Sequence, residues 1–449
     1  MFDRGTLLLE ELPPGLDPGG LPGVRWDDRV KAWRAPGRWR AAISVALMAR
    51  GAALEAWPSP RAPRVDDWRR PELRPYQQEA LTAWTEAGCR GVIVLPTGAG
   101  KTQVAIAAIA ELGGPAIVLA PTRVLVEQWI ARLGAYYTGG VGQISDGKVE
   151  PAAITVATLE GARRHMAAYG PRWELVVVDE AHHVGGGAAD EALEFSPASA
   201  RLGLTATPPP AGPGSDRLFD LVGPTVFSLS VQDLAGVWLA PYDVVTMELA
   251  LDADEREEHD LLRRIYSVVS RPFFEASPGA GWKDFVRHAN RTQEGRTALA
   301  AWRRSRALLS LTRAKGRVVG ELLARHRDRR ALIFVADNQA AYGVARGHLV
   351  APITCETSRP EREELLGAFA RGELRALVSA RVLDEGLDVP DADVGIVVGA
   401  GAGERQHVQR VGRLLRPGPG KRALVYELVT PGSFEVRDLT RRRRGLGAA

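Results

Sequence analysis

The sequence predicts an α/β protein with two parallel-sheet domains, a small α+β domain ahead of the first, and a basic helical unit between the two. Two observations carry this. Continuous apolar runs of strand length alternate with helically spaced segments in two separate stretches of the chain. Between them, from 250 to 310, strand signals vanish and helical spacing takes over. The length, 449 residues, corresponds to about three ordinary domains.

Residues 1–70 read as the small domain and its linker, with short strand candidates in GTLLLEEL and a helix candidate in WRAAISVALMARG. Six of the eleven tryptophans precede residue 85. The stretch RWDDRVKAWRAPGRWR interleaves Trp26, Trp33 and Trp39 with Arg25, Arg29, Lys31, Arg34, Arg38 and Arg40. Aromatic faces between cations can stack bases and hold phosphates. Tryptophans in a small domain more often form its core, with arginines lying over them, and core is the expectation for most of these. The Pro- and Arg-containing PSPRAPRVDDWRRP closes the unit near residue 71.

The first α/β domain is expected over 71–245. GVIVLP, AIVLAP, AITVAT, LVVVDE and RLGLTAT suit a parallel sheet buried on both faces. QVAIAAIAELGG and RVLVEQWIARLG have helical spacing. Over 246–310 the helical unit contains ADEREEHDLLRRIYSVVSR and TALAAWRRSRALLSLTRAKG. Over 311–449 the alternation returns, with strands expected in RALIFVAD, APITCE, RALVSA, DVGIVVG and ALVYELV and a basic tail at Arg441–Arg444.

Composition is that of a globular protein, 45% hydrophobic and 25% charged. No apolar run is long enough to span a membrane, and the N-terminus lacks a basic segment followed by an apolar core, so a cytoplasmic protein without membrane contact is expected. Cys89 and Cys355 are too few and too distant for a disulfide framework or a cysteine cluster. Net charge is only +4, yet residues 261–320 hold 13 Lys and Arg against 3 Asp and Glu. This island reads either as a polyanion-binding surface or as a solvated helical face.

LPTGAGKT (95–102) follows a strand and precedes a helix, the context of a phosphate-binding loop. Thr97, Gly98, Ala99 and Gly100 bring backbone amides to the phosphates, Lys101 reaches the β and γ oxygens, and the Thr102 hydroxyl can hold Mg²⁺. The strict pattern has glycine where this chain has Leu95. LVVVDEAHH (175–183) is an apolar strand ending in carboxylates. Asp179 is placed to hold Mg²⁺, and Glu180 to polarise the attacking water. QRVGRLLRP (409–417) puts Gln409, Arg413 and Arg416 on one helical face. Such arginines suit the charge of a transferring phosphoryl group, and contributed from the second α/β domain they would place ATP between the domains.

With these residues the chain resembles superfamily 2 helicases of the DEAH type, across both α/β domains, which the resemblance makes RecA-like. LRPYQ, with Arg74 and Gln77, resembles that family's adenine-side motif. APTRVLVEQW (120–129) and TVATLEG (155–161) resemble motifs contacting the nucleic acid backbone, implying Thr122, Arg123 and Thr158 as DNA contacts. DEAH and TAT imply His182, Thr205 and Thr207 as coupling residues. VLDEGLDVPDADV (382–394) implies Gly386 and Asp388 near the nucleotide. The order of these motifs, with the short N-terminal domain and the basic insertion, is similar to the xeroderma pigmentosum group B (XPB) helicases, the compact archaeal and bacterial type above all.

That resemblance implies an ATP- and Mg²⁺-dependent 3′→5′ DNA helicase or translocase in DNA repair, acting as a monomer on single-stranded and forked or duplex DNA. The N-terminal domain is then damage-recognition-like. The helical unit is thumb-like, with Arg303, Arg304 and Arg306 on DNA. One departure stands out. Where the family carries an Arg-Glu-Asp triplet after TAT, this chain has PPPAGPGSDR, with Asp216 and Arg217 the nearest charges. The expectation is a motor that translocates well and unwinds poorly alone. Two alternatives stay open: an RNA helicase, and an ATP-switched duplex-DNA clamp serving a nuclease partner.

Overall fold

Val92, Ile93 and Val94 have essentially no exposed surface, as expected of an apolar run buried on both faces of a parallel sheet. They lie in the strand Arg90–Val94 of a computed structural model. It describes residues 1–449 apart from 11, 13, 14, 52–62, 64–66, 208–211, 381–391, 400–409, 411, 413, 416–419 and 445–449, and apart from the side chains of 440–444. The chain divides into two units, Met1–Ser230 and Val231–Ala449.

The first unit holds two sheets. The small one is antiparallel, in the order Phe2–Asp3, Thr6–Leu9, Ala32–Pro36, Arg25–Asp27, and is followed by the helix Arg40–Met48. Leu7, Leu21, Val24, Ala35, Ile43 and Leu47 form its core, with Trp33 and Trp39 packed against it. Trp26 is 45% exposed and meets Trp33 edge-on at 5.5 Å. The large sheet has eight strands, in the order Thr225–Ser228, Arg90–Val94, Ala200–Thr205, Leu175–Val178, Ala116–Ala120, Ile154–Thr158, Val141–Ser145, Lys148–Glu150. Only the last pair is antiparallel. All five apolar runs expected as strands lie in it. Helices in the crossovers, including Lys101–Leu112, Arg123–Gly134 and Leu159–Tyr169, follow the carboxyl ends of its strands.

The second unit has a six-stranded parallel sheet, in the order Tyr242–Glu248, Ala423–Val429, Val394–Val397, Ala331–Phe334, Ala376–Ser379, Ala351–Ile353. The domain border expected at 245 falls inside Tyr242–Glu248. That strand pairs over its full length with Ala423–Val429, so it belongs to the second sheet. Ala253–Ala276, Trp282–Ala289 and Gln293–Ser310 form the helical unit. Phe285, Ala289 and Leu299 are its buried centre, with Tyr266, Val269 and Phe273 against them. Among the described residues no helix is long and apolar enough to cross a membrane.

Candidate nucleotide site

The loop after Arg90–Val94 is built by its neighbours. Gly98 and Gly100 take φ of 86° and 79°, the left-handed region that glycine enters without strain. A methyl on Gly100 would lie 2.3 Å from Gln77 Nε2. Gln77 is only 4% exposed, and its Nε2 donates to Ala99 O at 2.8 Å. Its Oε1 accepts from Arg74 N at 2.9 Å, and Tyr76 Oη donates to the same Ala99 carbonyl at 2.7 Å. Gln77 therefore braces the loop from behind.

Leu95 explains the departure from the strict pattern. It is fully buried, and its N–H donates to Thr205 O at 3.0 Å. It serves as the last core residue of the strand. Lys101 opens the helix Lys101–Leu112, and its Nζ donates to Leu95 O at 3.0 Å, curled over the loop. Thr102 stands half-buried beside it on the first helical turn.

Beside the loop lies a cavity of about 560 Å³, lined in part by Arg70, Arg74, Gln77, Gly98, Gln103 and Tyr136. The chain before Arg74 forms one wall. Arg69 N donates to Tyr136 O at 2.7 Å, Thr138 N to Asp67 O at 2.9 Å, and the Trp68 and Tyr137 rings stack at 4.7 Å. Sequence reading treated this end of the linker as punctuation and missed Tyr136. Nothing in its local pattern marks it, since only the fold brings it to the loop.

Asp179 follows the strand Leu175–Val178, whose neighbours on either side are Ala116–Ala120 and Ala200–Thr205. It is 8% exposed. Its Oδ2 accepts from Trp129 Nε1 at 2.8 Å and its Oδ1 from Glu180 N at 2.9 Å. Burial, then the adjoining Glu180 charge, pushes its carboxyl up to about 6, against the pull of Trp129 and Lys101. Glu180 goes the other way. Burial opposes its ionisation, but the His182 ring, Lys101 and His183 outweigh it and hold Glu180 below the ordinary glutamate value. Its backbone has φ 47° and ψ 53°, a left-handed conformation in a non-glycine residue at a strand end.

His182 ties this end of the sheet together. Its Nδ1 lies 3.3 Å from Glu180 Oε2 and 3.5 Å from Thr205 Oγ1. Thr205 Oγ1 donates to Thr207 O at 3.1 Å. Glu180, His182, Thr205 and Thr207 thus form one continuous polar chain.

Thr122 and Thr158 occupy the N-caps of Arg123–Gly134 and Leu159–Tyr169, accepting from Leu125 N at 3.3 Å and Gly161 N at 3.0 Å. Ala120 pairs with Thr158 in adjacent parallel strands, so the two helix N-termini open side by side. Arg123, expected on DNA, is exposed and ion-paired with Asp146. In the second unit, Arg303 is exposed. Arg304 pairs with Glu258 at 2.8 Å, and Arg306 lies over the Phe434 ring at 4.0 Å. Gly386, Asp388, Gln409, Arg413, Arg416 and the prolines 208–210 lie outside the described residues. Arg217, next to that loop in sequence, is held by Glu194 at 2.5 Å and Asp220 at 2.9 Å.

These residues suit a phosphate-bearing ligand with a divalent cation. Gly98 and Gly100 turn the loop through left-handed backbone beside the cavity, which both residues line. Glu180 Oε2 is buried, with the His182 ring 3.3 Å away. The oxygen donors Thr102 and Asp179 are of the hard type that Mg²⁺ prefers.

A phosphate-binding loop, a carboxylate pair at the end of a strand two places away in the same sheet and a second parallel-sheet unit define a helicase-type nucleotide-driven protein. Family models agree: residues 70–210 match the type III restriction enzyme res subunit, 314–418 the helicase conserved C-terminal domain, and 1–55 the xeroderma pigmentosum group B helicase damage recognition domain. The chain is 34% identical to the DNA 3′-5′ translocase XPB2 of Sulfurisphaera tokodaii, over 94% of this chain and 96% of that one. It is 29% identical to the DNA 3′-5′ helicase XPB of Mycobacterium tuberculosis, over 84% of this chain and 64% of that one. The fold is similar to the Pyrococcus furiosus Hef helicase domain, with a TM-score of 0.55 at 20% identity over 83% of this chain and 98% of that one. The chain belongs to the XPB helicase family.

Proposed function

We propose that the chain is an ATP-driven DNA translocase of 3′→5′ polarity. The observation that carries this is Glu180: a buried carboxylate beside Asp179, held ionised by the His182 ring 3.3 Å from its Oε2 and by the field of Lys101. A water there would donate to Glu180 and be turned toward the γ-phosphate. Lys101 leaves the carbonyls it now caps and neutralises the β and γ oxygens. Thr102 and Asp179 would hold Mg²⁺, which would supply further positive charge to the phosphates. Gln409, Arg413 and Arg416 are proposed to serve the transferring phosphoryl group, and Gly386 and Asp388 the nucleotide's surroundings.

The polar chain from Glu180 through His182 to Thr205 and Thr207 is the coupling route in this reading. The paired helix N-termini behind Thr122 and Thr158 are suited to successive DNA phosphates. Steady-state ATPase with single-stranded DNA, duplex DNA and RNA is the test. Stimulation by DNA and not by RNA is expected, and is lost in Glu180→Gln, which retains ATP binding. Equal stimulation by RNA favours the RNA-helicase alternative, and slow DNA-independent turnover favours the clamp.

One observation favours translocation with weak strand separation. Arg217 is bound to Glu194 and Asp220, so the basic charge nearest the proline-rich loop is already engaged. Efficient unwinding of a forked duplex by the protein alone would overturn this second reading. Action as a monomer, and service to a nuclease partner, belong to the same proposal.

A further inference from the structure

The second unit holds a cavity of about 730 Å³ between the helical unit and the helix Phe434–Arg444. That volume lies in the range of small-molecule sites. Tyr266, Trp302 and Phe434 supply its apolar lining, all half-buried. Arg306 lies over two of these rings, 4.0 Å from the Phe434 centroid and 5.2 Å from that of Trp302. Trp302 is backed by Trp282 at 4.4 Å. Arg263 and Arg437 stand exposed on the rim, and neither has an ion pair or side-chain hydrogen bond among the described residues.

The cavity wall is fixed in place. Lys315, with no exposed surface, donates to both carboxylate oxygens of Glu435 at 2.7 and 2.8 Å and to Leu309 O at 2.6 Å. Glu435 Oε2 also accepts from Thr430 N at 2.9 Å. The residue beside Phe434 is therefore anchored to the helix Arg313–Arg325 by a buried ion pair. Phe434 is held in place before any ligand arrives, with Arg306 over one face of its ring.

We propose that this cavity binds one unpaired nucleotide of a DNA strand, its base against Phe434 and Trp302 and its flanking phosphates on Arg263 and Arg437. The chemistry selects this occupant. Stacked aromatics beneath a cationic rim suit a base joined to phosphates. An apolar peptide would leave the rim charges unanswered, and an acidic peptide would leave the rings uncovered. The surrounding stretch 261–320 carries the large local excess of Lys and Arg. The inference rests on the reading of the chain as a DNA motor and gives that motor a base-holding site remote in sequence from its nucleotide loop.

The test is equilibrium binding of the full chain, at one fixed salt concentration, to an oligo-dT strand and to an abasic strand of the same length. Phe434→Leu keeps apolar volume and removes the ring; Arg263→Glu reverses a rim charge. Phe434→Leu is expected to weaken oligo-dT binding roughly five- to a hundredfold. It should leave binding of the abasic strand and ATPase without DNA unchanged. Arg263→Glu is expected to weaken both strands and to lower the salt dependence.

Unchanged oligo-dT affinity in a folded Phe434→Leu protein overturns the proposal, and is the result expected of a protein-docking cavity. An equal loss on both strands also overturns it, since no base is then being read. If the unmodified protein ignores DNA altogether, the motor reading fails first, before any variant is compared.

Discussion

Trp129 lies fifty residues before Asp179, yet its indole N–H donates to the carboxylate that the nucleotide reading gives to Mg²⁺. Its withdrawal leaves a buried carboxylate with one donor fewer and a stronger tendency to bind a proton. Trp129→Phe is therefore expected to raise the Mg²⁺ concentration for half-maximal ATPase roughly tenfold, the usual cost of losing a partner behind a metal ligand. An ATPase titration against Mg²⁺ measures this; an unchanged midpoint would show that Glu180 N and Lys101 suffice to hold Asp179. Gly100 makes a second residue-level case. Its φ of 79° and the 2.3 Å approach of Gln77 Nε2 oppose any side chain. Gly100→Ala is expected to abolish measurable ATP binding, while Gly113→Ala, at the other end of the same helix, carries a similar left-handed strain at φ 66° but meets no neighbour and leaves binding intact.

At the level of elements, what the sequence reveals depends on whether a signal is local. The central strands of both sheets are legible because burial on two faces demands unbroken apolar runs, as in Val92–Val94 and Leu175–Val178, whereas the more polar Val141–Ser145 is not. Two of the edge strands escape. Thr225–Ser228 and Tyr242–Glu248 are half-exposed and mix polar with apolar residues, so neither pattern dominates. The phosphate loop and the Asp179-Glu180 pair are legible because each is contiguous. Trp129 and Tyr136 are not, because sheet order alone carries them to the site. Lys315 is a similar case: an ordinary basic residue of the island by sequence, it is a buried cation paired with Glu435. Lys315→Met would leave that carboxylate stranded, at a cost of about 3–5 kcal/mol. Lys315→Met/Glu435→Leu removes both charges and is expected to recover most of the loss. Urea unfolding followed by tryptophan fluorescence compares them; equal destabilisation of both variants would mean that packing, not charge, holds the helix.

On the scale of the molecule, the first unit raises the question of what joins its small sheet to its large one. The linker residues between them are mostly outside the described set, but the contact itself is clear. Gly37 lies so close to Phe195 that a methyl on it would fall 2.3 Å from the Phe195 carbonyl oxygen, and Gly5 abuts the Phe195 ring. Around this contact sits a shared ionic cluster. Arg38 of the small domain reaches Glu194 at 2.8 Å and Asp220 at 2.7 Å, and Arg217 of the large one reaches the same two carboxylates. Arg38 and Glu194 are only 15% and 21% exposed, so the attraction is weakly screened. Arg217 also reaches Asp190 at 3.5 Å, and reversing Arg38 would set a third carboxylate directly against Glu194 and Asp220. Arg38→Glu is therefore expected to undock the small domain at a cost on the order of 3 kcal/mol, the low end for breaking a buried pair. Amide exchange should then quicken in Thr6–Leu9 and Ala32–Pro36 and stay slow in Arg90–Val94, with ATPase in the absence of DNA retained. Unchanged exchange in the small sheet would mean that the glycine contacts with Phe195 hold the two parts together without the charges.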